Sequence, residues 1–404
     1  MRVLQITAFS GWGCTGRIAQ GICEILMANG NEAAIAWGRT NVAPDTIKAI
    51  QIGSRNDQLI HGLYTRITDR CGLGSKNVTK KFLKQIDEYA PDIVHLHILH
   101  GYYVNIEILF RYFKEKKIPV VWTFHDCWAF TGHCPYFDMV ECEKWKTGCY
   151  SCEQKLHHPQ SLFLDNSKGN YKRKCEAFNG VEKMVIVTPS EWLKGLVGQS
   201  FFKKYPVKVI NNGINTKDFQ PTFGSIKEKL GIGEKKILLG VSSTWAEGKG
   251  LKDFITLSEK VSEEYRIVLV GLTKKQLEEL PESVTGVERT DSVKELAELY
   301  TAATAFLNLT YEDNYPTTNL EAIACGTPVI TYRTGGSPEI VEKTGFGQVV
   351  SQGNVEEVLE AIARVEGMTV KADAVSYLEQ RERFMDYQRL YEEMLSEKEN
   401  KWKK

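Results

Sequence analysis

Two hydroxyl residues and three carboxylates stand close together in one short segment: Glu312, Asp313, Thr317, Thr318 and Glu321. The apolar run 305–309 before them predicts a buried strand, and the next helix is predicted to begin near Thr317 or Thr318. The start of a helix offers unpaired N–H groups and the positive end of a dipole, which together suit a diphosphate. Carboxylates beside it can accept hydrogen bonds from sugar and ribose hydroxyls. The segment therefore predicts a site for a sugar nucleotide.

The same segment also allows a purely structural interpretation. Thr318 and Glu321 have the spacing of a capping box, in which the Glu side chain satisfies a backbone N–H at the start of the helix. Local chemistry alone supports the two interpretations equally.

The segment 311–330 resembles the acidic-x7-Glu motif of retaining GT-B glycosyltransferases, family 4 (group 1), including its trailing Glu-Ala-x-Ala-x-Gly-x-Pro-Val-Ile. The resemblance implies that Glu321 binds the ribose of the donor nucleotide. It also implies that the backbone near Thr317 and Thr318 meets the diphosphate. This form of the motif is typical of a bacterial polysaccharide-assembly subgroup.

Two positions depart from the family's usual pattern. The first acidic position is usually Glu and falls on Asp313, so either Asp313 or the adjacent Glu312 is expected to contact the donor sugar. The segment 243–250 resembles the family's phosphate loop, and Lys249 is expected to supply a positive charge to the diphosphate. The family usually has an Arg about five residues earlier, where this chain has Thr244.

Glycines follow the first predicted strand, at Gly11, Gly13 and Gly16. Glycine lets a backbone approach a ligand closely, so Gly13 and Gly16 are predicted to lie beside the diphosphate or the acceptor. The spacing matches the dinucleotide motif, but Trp37 and Gly38 stand where an acidic residue would hold the ribose of NAD. NAD is therefore not expected.

Histidines end two predicted strands of the first half. His125 follows the run 119–124, where it could hydrogen-bond donor-sugar hydroxyls or stabilise charge while a bond breaks. His95, His97 and His100 are further candidates for contacts with an acceptor. A structural role is the alternative for each of them.

Five of the ten cysteines lie between Cys127 and Cys152. Four of these could hold a structural zinc ion: Cys134, Cys142, Cys149 and Cys152. The usual two-plus-two pairing of zinc ligands is absent, so thiols without metal are an alternative. Disulfides are a third alternative, although they are unusual in the cytoplasm.

Predicted strands and helices alternate in both halves of the chain, which favours an α/β fold, and the resemblance implies that this fold is of the GT-B type. This fold has two doubly wound parallel-sheet, Rossmann-like domains that face each other across a cleft. The predicted parts are an acceptor-side domain (1–208) with a cysteine-rich insertion (127–152), a linker (209–221), a nucleotide-sugar-binding domain (222–372) and a C-terminal segment (373–404). One charged helix over 375–395 is expected to cross back onto the first domain.

Composition and charge fit a two-domain globular protein. The chain has 404 residues, 42% hydrophobic and 25% charged, and no apolar run reaches the roughly 18–20 residues of a membrane span. The N-terminus lacks the pattern of a signal peptide, so a cytoplasmic location is expected. Residues 1–210 carry net charge +8 and the rest −8. A basic first half suits the inner-membrane surface or a diphosphate-linked substrate, although ordinary scatter also explains it.

The sequence thus predicts a retaining hexosyltransferase that moves a sugar from a UDP- or GDP-sugar to a carbohydrate acceptor. The acceptor is expected to be a lipid-diphosphate-linked oligosaccharide in capsule or other surface polysaccharide synthesis. The resemblance implies no cofactor for catalysis, and nucleic acid is not an expected partner. Two alternatives remain, a sugar-nucleotide 2-epimerase of the same architecture and a non-catalytic subunit that binds a sugar nucleotide.

Overall fold

The computed structural model describes residues 1–11, 13–39 and 46–396. The chain divides into two compact units. The first unit comprises Met1–Asn211 together with the stretch from Arg383 onward, and the second comprises Asn212–Glu382. The division between them therefore falls between Asn211 and Asn212, and the chain returns to the first unit after Glu382.

Seven parallel strands form the sheet of the first unit, in the order β3-β2-β1-β4-β5-β6-β7. The strands are β1 (Arg2–Thr7), β2 (Glu32–Trp37), β3 (Lys48–Gln51), β4 (Ile93–Leu96), β5 (Val120–Thr123), β6 (Met184–Thr188) and β7 (Val207–Val209). The helices are α1 (Gly13–Ala28), α2 (Arg55–Thr68), α3 (Lys76–Tyr89), α4 (Ile106–Lys116), α5 (Ser167–Phe178) and α6 (Glu191–Gln199). Near-continuous apolar runs in the central strands fit a sheet that helices cover on both faces.

Six parallel strands form the sheet of the second unit, in the order β10-β9-β8-β11-β12-β13. They are β8 (Lys236–Val241), β9 (Tyr265–Val270), β10 (Val284–Val287), β11 (Ala303–Asn308), β12 (Val329–Tyr332) and β13 (Gly347–Val350). The helices are α7 (Ile226–Lys229), α8 (Leu251–Ser258), α9 (Lys274–Glu278), α10 (Val293–Ala302), α11 (Thr317–Ala324), α12 (Ser337–Thr344), α13 (Val355–Val365) and α14 (Ala372–Tyr377). The last helix, α15 (Gln380–Ser396), begins here and continues into the first unit.

The two sheets share one topology, which confirms the prediction of two parallel-sheet Rossmann-like domains. In each sheet the strand order reverses direction at one point, between β1 and β4 in the first and between β8 and β11 in the second. Ligands of such sheets bind outside the carboxyl ends of the strands at this point. The loops after these four strands are therefore the first places to look for a site.

The C-terminal segment differs from its prediction, because two helices replace the single one expected over 375–395. Leu378 and Glu379 separate α14 from α15, and main-chain bonds join Ile214 to Leu378 (2.9 Å) and Gln380 to Ile214 (2.8 Å). These bonds interrupt the helical pattern. Leu378 is buried in the core of the second unit, whereas the apolar residues of α15 are buried in the core of the first.

A glycine lets α15 lie close against α1. A Cβ at Gly21 would meet the ring of Phe384. Nearby, the Asn29 side chain donates a hydrogen bond to Gln388 (2.7 Å). The contact therefore depends on the missing side chain at position 21.

We expect Gly21→Ala to lower the free energy of unfolding by about 1–3 kcal/mol, because the added methyl group overpacks the contact with Phe384. Gly195→Ala in α6 is the matched control, since nothing lies within 4 Å of a Cβ there. That change should be neutral or stabilise the protein by up to about 1 kcal/mol through helix propensity. Urea denaturation measures both variants, and equal effects would contradict the proposed close approach.

Candidate functional site

In the second unit, an ion pair joins the loops that follow β8 and β11. Lys249 Nζ lies 2.8 Å from Asp313 Oδ2 and donates a further bond to the main-chain oxygen of Glu312 (3.0 Å). Both side chains of the pair are partly exposed. The pair thus lies outside the carboxyl ends of the two strands where the order of this sheet reverses.

Main-chain contacts hold these two loops together. Tyr311 N donates to Gly248 O (2.8 Å), and the Thr310 hydroxyl donates to the same oxygen (3.1 Å). Gly250 has a φ of +72°, and a Cβ there would clash with the carbonyl of Leu309. Glycine at position 250 is therefore required for the close approach that positions Lys249 beside Asp313.

Glu321 is held inside the second unit by a tyrosine. Its side chain is buried, and the Tyr300 hydroxyl donates a hydrogen bond to Glu321 Oε2 (3.0 Å). Burial, with the nearby Glu321 carboxylate, raises the pKa of Tyr300 well above its usual value, so the hydroxyl keeps its proton. Tyr300 fixes the position of the carboxylate.

The capping-box interpretation of Glu321 is wrong. Helix α11 begins at Thr317 after the N-cap residue Pro316, and no side chain caps it. Thr318 lies one residue inside the helix, so it cannot be the N-cap of a box with Glu321. Thr317 and Thr318 form the first turn, half-buried, at the end of the helix where backbone N–H groups lack helical partners.

In the first unit, two histidines meet outside the carboxyl ends of β4 and β5. His97 Nδ1 lies 3.0 Å from His125 Nε2, and His97 Nε2 lies 2.8 Å from Gln5 Oε1 in β1. An amide oxygen only accepts, so His97 Nε2 carries the proton and His97 Nδ1 accepts from His125 Nε2–H. The proton of His125 is thereby assigned to Nε2.

The nitrogen of the Gln5 amide is connected to α15 by a hydrogen bond. Gln5 Nε2 donates to the Tyr391 hydroxyl (3.3 Å), which lies 2.7 Å from His95 Nδ1. On its other side, His95 Nε2 lies 2.8 Å from the Thr123 hydroxyl, which donates to Tyr387 (3.2 Å). Thr123 therefore accepts from His95, and His95 Nδ1 accepts from Tyr391. One buried chain of hydrogen bonds runs from His125 through Gln5 to the C-terminal helix.

Burial keeps the three linked histidines neutral. It lowers the pKa of His125 to about 4, and it lowers the pKa of His95 and of His97 well below the ordinary value. At neutral pH, His125 can therefore exchange hydrogen bonds with hydroxyl groups, but it does not supply a positive charge. His95 is fully buried within the chain, so it is not available for the acceptor contact considered for it.

His100 has a different partner. His100 Nε2 lies 2.8 Å from Asp126 Oδ2, next to His125 along the chain. Burial opposes ionisation of Asp126, but the adjacent His100 imidazole lowers the pKa of this carboxyl group below its usual range. An ionised Asp126 thus lies beside the neutral His125.

The predicted glycine loop is partly helical. Gly13 and Gly16 both lie in the first turns of α1, and only Gly11 precedes the helix. A Cβ at Gly16 would press on the backbone of Phe9 and Gly11, at 3.2 to 3.3 Å. Gly16 therefore serves a tight turn, while nothing lies within 4 Å of a Cβ at Gly13. Trp12, in the same predicted loop, lies outside the described residues.

The four thiols considered for zinc line one pocket, together with His133 and Trp145. They are Cys134, Cys142, Cys149 and Cys152, and none of the four is in a disulfide. Across residues 1–11, 13–39 and 46–396, no group of three or more His, Cys, Asp or Glu side chains is arranged to hold a metal ion. The structure therefore does not support the predicted zinc ion. Two of the thiols instead pair, since Cys134 hydrogen-bonds Cys152.

Two known protein families match the chain in succession. Residues 22–218 match "Glycosyltransferase Family 4", and residues 223–389 match "Glycosyl transferases group 1". The two matches follow each other along the chain and together cover most of it. The second match contains the Lys249–Asp313 pair and Glu321, and the first contains His95, His97 and His125.

Among curated proteins, the chain is similar to the putative colanic acid biosynthesis glycosyl transferase WcaC of Escherichia coli K12, with 25% identity over 68% of this chain and 66% of WcaC. It is also similar to the sulfoquinovosyl transferase SQD2 of Arabidopsis thaliana, with 28% identity over 84% of this chain and 61% of SQD2. The chain thus spans less than two thirds of the length of either relative.

Solved glycosyltransferase structures share the fold. A sucrose-phosphate synthase from Thermosynechococcus elongatus superposes with a TM-score of 0.70 at 16% identity, covering 98% of this chain and all of the other. The Anabaena protein HepE, solved with UDP, gives 0.64 at 15% identity over 98% of this chain and all of HepE. At these identities the likeness establishes the GT-B fold alone.

The neutral histidines predict a loss of stability in acid. Their ordinary pKa is about 6.5 in the unfolded chain, so between that pH and about 4 the unfolded state binds more protons than the folded state does. The free energy of unfolding should therefore fall as the pH is lowered through this range, with His125 contributing on the order of 2 kcal/mol between pH 7 and pH 5.

Urea denaturation at both pH values measures this loss. His125→Gln should reduce it, whereas His157→Gln, at an exposed position, should leave it unchanged. An equal loss in wild type and His125→Gln would show that His125 is not held neutral.

The thiol pair predicts selective reactivity. The hydrogen bond from Cys134 lowers the pKa of Cys152, while the same bond raises the pKa of Cys134. Because the thiolate is the nucleophile, iodoacetamide at pH 7 should label half-buried Cys152 well before Cys134, as read by peptide mass spectrometry. Cys142→Ser is the control that retains the pair. Labelling that begins only after a chelator is added would contradict this expectation and restore the zinc prediction.

Proposed function

We propose that the chain is a retaining hexosyltransferase that moves a sugar from a UDP- or GDP-sugar to a carbohydrate acceptor. The single observation that carries the proposal is the Lys249–Asp313 ion pair, 2.8 Å long, where the strand order of the second sheet reverses. A cation there, near the start of α11, suits the diphosphate of a nucleotide donor. HepE, which shares the fold, was solved with UDP-glucose.

The residues of the second unit have separate roles in this proposal. Lys249 neutralises the diphosphate, and the backbone N–H groups at Thr317 and Thr318 bind its oxygens. Glu321, held by the Tyr300 hydroxyl, accepts hydrogen bonds from the ribose. Asp313 already holds Lys249, so we assign it to orienting that cation and assign the donor-sugar contact to Glu312.

The proposed reaction needs no protein nucleophile. The acceptor hydroxyl oxygen attacks the anomeric carbon on the face that the diphosphate leaves, and a leaving-group phosphate oxygen takes the hydroxyl proton. The bond from the anomeric carbon to the phosphate oxygen breaks as the new glycosidic bond forms, so configuration is retained. Positive charge at Lys249 stabilises the departing diphosphate.

The first unit is assigned to the sugar and the acceptor. His125, neutral with its Nε2 proton directed at His97, is proposed to hydrogen-bond sugar hydroxyls rather than to act as a charged group. Gly13, at the start of α1, is proposed to let a ligand approach the backbone, while Gly16 shapes the turn. The basic first half and the similarity to WcaC favour a lipid-diphosphate-linked acceptor in surface polysaccharide synthesis.

An assay with purified protein tests the reaction. The protein is incubated with a panel of UDP- and GDP-sugars and a membrane lipid extract, and nucleotide release and sugar incorporation are followed. Incorporation with retained configuration supports the proposal. Formation of an epimer without an acceptor would instead identify a sugar-nucleotide 2-epimerase, and binding without turnover would identify a non-catalytic subunit.

Two substitutions test the donor site. We expect Lys249→Met and Glu321→Gln each to weaken binding of the nucleotide by about ten- to a hundredfold, because each removes a charged hydrogen-bonding partner. Isothermal titration calorimetry with UDP and GDP measures the affinity. Lys252→Met, at an exposed position of α8, is the matched control and should bind like wild type. Unchanged affinity with a lower free energy of unfolding in Glu321→Gln would reduce Glu321 to a structural residue.

A further inference from the structure

Helix α2 of the first unit exposes large apolar side chains along one side. They are Leu59, Ile60, Leu63 and Ile67, between 43 and 68% exposed. Their spacing of three, four and seven residues puts them on one face of a helix. A soluble domain rarely leaves such a row uncovered.

A loop beside α2 extends the same surface. Leu162 N donates to the carbonyl of Arg66 (2.7 Å), and Leu164 N donates to that of Ile67 (3.4 Å). The loop adds three apolar side chains that are 49 to 68% exposed: Leu162, Phe163 and Leu164. We call the seven side chains together the apolar face.

The opposite side of α2 is firmly packed. His61 and Thr65 are buried, and His61 bonds Ser75 Oγ (2.8 Å) and Gly74 N (3.1 Å) at the start of α3. Ser54 closes a capping box with Asp57 at the N-terminus of α2. The helix is therefore fixed in place by one side, and its apolar face is the side left exposed.

Positive charge predominates on the helix that carries the apolar face and on the helix that follows it. Residues 55–84 hold seven Lys or Arg and two Asp or Glu. Six of the cations are exposed: Arg55, Arg66, Lys76, Lys80, Lys81 and Lys84. Of the two acids, Asp57 is engaged in the capping box and Asp69 is buried against His133. The exposed charge of α2 and of the first part of α3 is thus almost wholly positive.

We propose that the apolar face docks the protein on a membrane surface that contains anionic lipids. The seven apolar side chains enter the boundary between headgroups and acyl chains, and the exposed cations of α2 and α3 contact lipid phosphates. No helix among the described residues is long and apolar enough to cross a membrane, so docking and not spanning fits this surface. A second copy of the chain fits less well, because a symmetric interface would bring the two sets of cations together.

Only the purpose of the docking rests on the proposed function, because docking would bring the protein to an acceptor carried on a lipid diphosphate. Lipid binding itself requires neither donor nor turnover. The two proposals can therefore fail separately, and an experiment without substrates tests the docking alone.

Sedimentation of the full chain with vesicles tests the surface. We expect binding to vesicles of phosphatidylcholine with 30% phosphatidylglycerol, and at least about tenfold weaker binding of Ile60→Ser/Leu63→Ser/Phe163→Ser, because the apolar side chains no longer enter the lipid. Phe223→Ser is the matched control, since Phe223 is an isolated exposed side chain of the second unit, and it should bind like wild type. Lys80→Gln/Lys81→Gln/Lys84→Gln should lose most of the preference for phosphatidylglycerol.

Three outcomes would overturn the docking proposal. One is no binding of wild type to the vesicles that contain phosphatidylglycerol, and another is equal binding by wild type and the triple Ser variant. The third is a wild-type dimer in analytical ultracentrifugation that the triple Ser variant abolishes, which would assign the apolar face to a second copy. A circular dichroism spectrum and a urea midpoint like those of wild type confirm that the triple Ser variant is folded, and the donor-site proposal is left to its own test.

Discussion

The side-chain amide of Gln5 is the interaction on which the first unit's candidate site depends. Gln5 lies inside β1 with no exposure to solvent, so both ends of its amide require partners. Its oxygen accepts from His97 and its nitrogen donates to Tyr391. An amide has one donor end and one acceptor end. The Gln5 amide therefore determines which group donates and which accepts in the hydrogen bonds to His97 and Tyr391, and through His97 in the bond to His125. The orientation of one buried side chain thus determines the protonated nitrogen of His125.

In the second unit, different interactions orient the polar groups of the candidate site. An ion pair and main-chain hydrogen bonds hold the loops after β8 and β11 together. The Tyr300 hydroxyl fixes Glu321 through a buried hydrogen bond. In both units the polar groups collect where the strand order reverses, because neighbouring strands send their chains to opposite faces there and leave room between the loops. A shared topology therefore explains why two sheets with different residues concentrate polar groups at the same place.

The sequence was informative wherever a role depends on residues near each other in the chain. The alternation of strands and helices predicted the two parallel sheets, and the start of α11 was predicted at Thr317 or Thr318, where it lies. The pairing of Lys249 with Asp313 could not be predicted, because the two residues are 64 positions apart. The contact of Tyr300 with Glu321 and that of Tyr391 with Gln5 could not be predicted either, because spacing along the chain does not indicate them. A weak signal existed for Gln5, the polar residue in the otherwise apolar run Val3–Ile6, and for the tyrosines at 387 and 391, one helical turn apart.

The errors have equally local causes. The apolar positions of the predicted helix 375–395 belong to two different cores, and spacing along the chain does not distinguish them. The cysteine spacing favoured metal ligands over free thiols, but it contains no information on how the thiols are turned, and zinc stays a prediction without support among the described residues. The exposed apolar face was missed because a row of leucines and isoleucines at helical spacing ordinarily predicts a buried face.

The return of α15 to the first unit has a consequence for biosynthesis. Gln5 and its hydrogen-bond partner Tyr391 are 386 residues apart. On the ribosome, which extends a chain by roughly 5–20 residues per second, many seconds separate the emergence of β1 from that of α15. Through that interval the Gln5 amide and the surface of α1 around Gly21 lack the contacts that α15 provides. The unit that begins first is therefore the one completed last, and a nascent chain would be most dependent on chaperones at its N-terminal sheet.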